Sequence, residues 1–193
     1  LKCYYFLFFL FFFNDTATTE MLAKANGATV ICNYELGMYC QARGLTVHQM
    51  HIGGGFHFPF GFTKLLPAFH GSSLPDENGM PIYLGMPAGV LLQLGDLTLY
   101  HLGDTGLFSD LRLIASFHSI DVAMVPIGGN FTMGPECALK AVEMLQPKVV
   151  IPVHYNTMPV ISLTNAQLDA FETSVSELGI RAEMLPPGGV LEM

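Results

Sequence analysis

The sequence predicts a layered α/β domain, and three observations predict it. Short apolar runs alternate with amphipathic stretches from Met21 to the C-terminus. Two of the runs, 88–94 and 97–102, are joined by Gly95-Asp96, a dipeptide suited to a tight hairpin. Thr164-Asn165-Ala166-Gln167 has the spacing of a capping box at the start of a helix. With 193 residues and no internal repeat or linker, the chain is expected to form one domain around a real core.

Each element follows from local signals. Residues 21–26 read as a helix end stopped by Gly27, and 28–32 as a short buried strand. Asn33 is an N-cap for a helix whose apolar face is Leu36, Tyr39 and Cys40, closed by Gly44. Residues 45–50 form a strand, Gly53-Gly54-Gly55 a turn, and 56–69 one or two strands of a hairpin. Residues 71–87, rich in Gly, Ser, Pro and Asp, read as one long loop, and loops of that length tend to be functional. A short helix over 110–117 precedes a buried strand over 122–127. A helix over 135–145 turns Ala138, Ala141, Val142 and Leu145 inward, and a strand covers 148–153. The last helix presents Leu168, Phe171, Val175 and Leu178, and Gly179 ends it. A final strand or pair starts at Arg181.

Composition narrows the function. Hydrophobic residues make up 51% of the chain and charged ones 12%, which indicates a globular protein. A net charge of -8 leaves little from which to build the basic face that nucleic acid requires. Cys3, Cys32, Cys40 and Cys137 form no CxxC pair, so buried thiols in a reducing cytoplasm are expected rather than disulfides or a zinc-thiolate site. Residues 1–20 match nothing downstream. The aromatic run over 1–13 is too short to span a bilayer, and a Thr-rich tract follows it. This segment is expected to be foreign to the domain, which then comprises 21–193. The rival reading uses residues 3–13 as a membrane anchor.

Three apolar runs lead into a metal-type ligand: 65–69 into His70, 97–102 through Gly103 into Asp104, and 149–153 into His154. A carboxylate at the carboxyl end of a core strand lies where open α/β sheets bind ligands. Any one of these histidines alone is more often a hydrogen-bonded core residue than a ligand. Together the three form a nitrogen and oxygen donor set suited to zinc, manganese or iron. His101 falls on the opposite strand face from Asp104, which gives it a supporting or structural role. Asn130 and Thr132 occupy a strand-to-helix turn that could bind an anion through backbone N–H groups or cap the helix.

Four segments, PAFHGSSLPD, TLYHLGDTGLFSD, PIGGNFTMGPECALKAV and IPVHYNTMP, occur in order and resemble metal-dependent hydrolases of the metallo-β-lactamase superfamily. The resemblance runs from about Met21 to the end. It implies a four-layer αββα sandwich, N-terminally incomplete here, with a dinuclear metal site on one edge and zinc as the expected metal. His70 would bind the first metal, Asp104 would bridge, and His154 would bind the second. Asp104 and His154 would be catalytic, while His101, Thr105, Asn130 and Tyr155 would contact substrate or support the ligands. The complete site would use a metal-bound hydroxide on an ester, lactone, thioester or phosphodiester.

The superfamily's His-x-His-x-Asp-His motif does not occur in this sequence, and His48, His51 and His57 lack its spacing. Impaired activity is therefore expected, the alternative being a non-catalytic binding remnant of the same fold. The expected partner is a small-molecule substrate, without nucleic acid or membrane. Uncovered apolar edges would favour aggregation or a homo-oligomer.

Overall fold

In the computed structural model, residues 21 and 23–192 are described. The anomalous segment 1–20, Cys3 included, lies outside the described residues. Residues 23–26 are helical and end at Gly27, whose φ of +58° only glycine adopts easily. The chain then forms β1 (Thr29–Asn33), α1 (Tyr34–Ala42) and β2 (Thr46–Met50). Strands β1 and β2 pair in parallel, and α1 packs against both. The Asn33 side chain accepts a hydrogen bond from the Leu36 N–H at 2.8 Å, capping α1 as expected. A small core of Val30, Cys32, Leu36, Cys40 and Leu84 closes this unit. Burial pushes the Cys32 thiol up to about 12, with Cys40 adding to the rise. Cys137, by contrast, is exposed.

The larger unit is a seven-stranded sheet in the order β11-β10-β9-β8-β7-β4-β3. Its strands are β3 (Gly55–Phe58), β4 (Gly61–Pro67), β7 (Ala88–Leu94), β8 (Leu97–His101), β9 (Val122–Pro126), β10 (Val149–Val153) and β11 (Arg181–Ala182). Helices α2 (Leu111–Phe117), α3 (Pro135–Leu145) and α4 (Asn165–Glu177) share its main core. Ala138, Ala141, Val142 and Leu145 of α3 are all buried there, against Leu91, Tyr100, Val125 and Val150 of the sheet. Thr164 and Gln167 make the capping box of α4.

Several expectations are corrected. Residues 71–87 are not one loop but contain a hairpin, β5 (Ser73–Pro75) with β6 (Pro81–Tyr83). Its strands are three residues long with proline at their ends, so composition alone reads as coil. The turn is built by Asp76 Oδ1, which accepts from the N–H groups of Asn78 and Met80, both at 2.8 Å. In α4 the buried stripe is Phe171 and Val175; Leu168 is partly buried and Leu178, at the C-cap, is exposed. The C-terminal strand is only two residues long.

Strand direction decides where the site falls. Strands β8, β9 and β10 are parallel. Strand β4 is antiparallel to β7, which is antiparallel to β8, so β4 also runs with β8. Four strands of five or more residues, joined by the two-residue β11 parallel to β10, therefore deliver their carboxyl ends to one edge of the sheet. At the opposite end, Asp121 ties β8 to β9. Its carboxylate accepts from Lys148 Nζ at 2.6 Å and from the Thr98 N–H at 2.7 Å, and both hold it below the usual carboxylate range. Asp121→Ala is expected to cost about 1–3 kcal/mol by stranding the Thr98 N–H, whereas Lys148→Met costs under about 1 kcal/mol, since that ammonium is solvated. Because the native group ionises at lower pH than in the unfolded chain, its stabilisation is full above the unfolded carboxylate range. It disappears as pH falls through the native value. Urea melts of the wild type and both variants from neutral pH downward measure this.

Candidate active site

The candidate site is assembled where β4, β8, β9 and β10 end. Gly103, with φ +69°, turns the chain sharply out of β8. A side chain there would meet the Ala88 carbonyl oxygen at 2.8 Å. His101 supports this turn, accepting the Gly103 N–H on Nδ1 at 3.0 Å, which leaves its proton on Nε2. Burial lowers the His101 pKa to about 4, so it is neutral at physiological pH. It braces the turn that leads into Asp104.

Asp104 and His154 come together. Asp104 Oδ2 lies 3.5 Å from His154 Nε2, and both side chains are buried. The other carboxylate oxygen, Oδ1, is buried without a hydrogen-bond partner. Burial raises the Asp104 pKa, opposed by the charges of His154 and then His70. A buried carboxylate so poorly compensated is costly unless a cation or ligand group meets it. His154 itself has φ +56°, a left-handed conformation uncommon outside glycine. Gly128, just past β9, accommodates it: a Cβ there would sit 2.2 Å from the His154 carbonyl oxygen.

His70 joins this edge through a backbone knot. Thr105 is completely buried; its hydroxyl accepts the Phe69 N–H at 2.9 Å and donates to the Gly106 carbonyl at 2.8 Å. The Gly106 N–H returns to the Phe69 carbonyl at 3.0 Å, and the Met133 N–H donates to the Thr105 carbonyl at 3.1 Å. Three loops are thereby fastened around Asp104. His70 is half-buried, its Nδ1 2.9 Å from the Gly71 carbonyl oxygen. It is near enough for its charge to act on Asp104. Among the described residues, however, no group of three or more His, Cys, Asp or Glu is set to hold a metal ion.

The remaining expected residues separate. Tyr155 is partly buried against the main core, and burial raises its hydroxyl pKa. Asn130 is exposed with φ +51°. The N–H groups of Phe131 and Thr132 go to the Gly129 carbonyl and that of Met133 to Thr105, so three backbone donors of the expected anion turn are already engaged. Gly134, not Thr132, is the N-cap of α3. His48 packs on the rings of Phe56 and Phe58 at 4.4 and 4.7 Å, His51 stacks on Tyr34 at 5.6 Å, and His57 meets Phe62 at 4.8 Å. Gly128 and the left-handed His154 were not legible as site features; Gly128-Gly129 reads in the sequence only as the end of a strand.

A family model described as a beta-lactamase superfamily domain matches residues 74–154, a segment holding both Asp104 and His154. Igni18, a metallo hydrolase from the archaeon Ignicoccus hospitalis, superposes with a TM-score of 0.78 at 30% identity, covering 90% of this chain and 72% of that one. Fold and sequence together define a metallo-β-lactamase-type α/β protein. A UPF0173 metal-dependent hydrolase of Bacillus velezensis is 51% identical over 173 residues, 89% of this chain and 70% of the relative. Another, from Geobacillus sp. (strain WCH70), is 56% identical over 144 residues, 75% of this chain; the matched part is 64% of that relative. The chain belongs to the UPF0173 metal-dependent hydrolase family. It spans just under two thirds of the length of several of the relatives it matches.

Proposed function

We propose that the chain carries part of the active site of a divalent-cation-dependent hydrolase acting on a small molecule. The observation that supports this most is the buried Asp104 carboxylate, with one oxygen facing His154 and the other unpartnered, at the edge where four strands end. One carboxylate and one imidazole fit a hard or borderline cation, and zinc is the metal we expect. Asp104 and His154 would hold it, with His70 as the third donor. A bound cation lowers the pKa of water and polarises a carbonyl or phosphoryl oxygen.

This chain's own residues then have defined tasks. Asp104, buried, is the fixed negative charge that attracts the cation. His154 offers Nε2 on the side facing Asp104. Thr105 fastens the His70 loop to the Asp104 loop, and His101 keeps the Gly103 turn in shape. An ester, lactone, thioester or phosphodiester fits this chemistry. The free thiols of Cys32 and Cys137 support a reducing, cytoplasmic setting. Among the described residues no helix is long and apolar enough to cross a membrane.

The lack of a ready three-donor group among the described residues favours one second reading, a non-catalytic binder on the same fold. Zinc titration of chelator-stripped protein decides between them. The hydrolase reading predicts saturable binding in the micromolar range or tighter, with release of protons on binding, together with zinc-dependent cleavage of a p-nitrophenyl ester. Absence of both binding and cleavage overturns it.

A further inference from the structure

We propose that the site takes an uncharged acyl substrate with an apolar chain, an ester, thioester or lactone rather than a phosphodiester; this rests on the hydrolase reading above. The loops around Asp104 and His154, residues 69–73, 103–109, 128–134 and 154–158, contain no lysine or arginine. A phosphodiester is a permanent anion with two non-bridging oxygens; a bound cation would meet one, and the other is normally held by guanidinium or ammonium groups, which these loops do not supply. It would approach a chain of net charge -8 whose site already holds a carboxylate. Beyond the Asp104 carboxylate and the His154 imidazole, these loops bury hydroxyls: those of Ser72 and Thr132 have no hydrogen-bond partner. Neutral donors suit a carbonyl oxygen.

The same loops present apolar side chains. Phe69 is 64% exposed, Phe131 42% and Leu107 38%, on the three segments that the Thr105 bonds join. Phe69 is not loose. Its backbone is bonded on both sides, to Thr105 and Gly106, and its ring packs on Phe108 at 5.1 Å between centroids. An exposed aromatic ring already held in place binds an alkyl chain with little further loss of entropy.

Calorimetric titration of the full chain with two probes, N-methyloctanamide and diphenyl phosphate, tests this. The expected result is amide binding at least about tenfold tighter than phosphate binding, weakened about tenfold by Phe69→Ser and similarly by Phe131→Ser, the effect of removing one apolar contact. Both positions are exposed, so both variants should keep the wild-type melting temperature. Phosphate binding as tight as amide binding, no binding of either probe, or unchanged amide binding in both variants would overturn the proposal. Intact amide binding without zinc-dependent cleavage of p-nitrophenyl octanoate would instead overturn the hydrolase reading on which it rests.

Discussion

Asp104→Asn is expected to abolish zinc binding and to lower ester hydrolysis by at least about a thousandfold, or about 4 kcal/mol of barrier. The substitution keeps the shape and removes the charge. The same change should not unfold the protein. Burial raises the Asp104 pKa, so the ionised form opposes folding in the metal-free chain. The native carboxyl holds its proton to higher pH than the unfolded one, and its contribution to stability falls as pH rises through that interval. The metal-free variant should therefore melt no lower than the wild type at neutral pH. Paired calorimetry and zinc titration measure both effects. A variant that still binds zinc, or one that loses several degrees of Tm, contradicts this account of Asp104.

Gly128→Ala is expected to be nearly as damaging, for a steric reason. Its Cβ would lie 2.2 Å from the His154 carbonyl oxygen and 3.0 Å from Ile161 Cβ. Neither neighbour yields easily, because His154 already holds a left-handed backbone and Ile161 is fully buried. Relief requires moving the end of β10 and the imidazole with it. A loss of about 2–3 kcal/mol in stability is expected, together with a loss of zinc affinity of more than about tenfold. Gly134→Ala is the control: its Cβ would find its nearest atom at 4.0 Å, and φ is -80°. That change should cost under about 1 kcal/mol and leave zinc affinity alone.

The contrast between Asp104 and Gly128 shows how much of this molecule can be read in advance. Asp104 is legible because a buried strand ending in glycine and then an acid is a local pattern. The β7–β8 hairpin is legible from Gly95-Asp96, and α1 and α4 from Asn33 and Thr164, because caps and turns depend on a few adjacent side chains. The β5–β6 hairpin is hidden, since its short, proline-bounded strands take their turn from Asp76 rather than from alternating hydrophobicity. Gly128 matters through His154 and Ile161, 26 and 33 positions along the chain, and no local pattern encodes those contacts. Thr105 is intermediate. Its place beside Asp104 is readable, but its hold on Phe69 and Met133 depends on the edge that parallel strands create.

The most direct measurement is the anomalous scattering of a zinc-soaked crystal at the zinc edge. This account predicts one peak at the carboxyl ends of β4, β8 and β10, about 2.0–2.2 Å from an Asp104 carboxylate oxygen and a His154 ring nitrogen. Zinc bound only elsewhere, such as at the His48 and His51 surface, with Asp104 and His154 left facing each other, would contradict it.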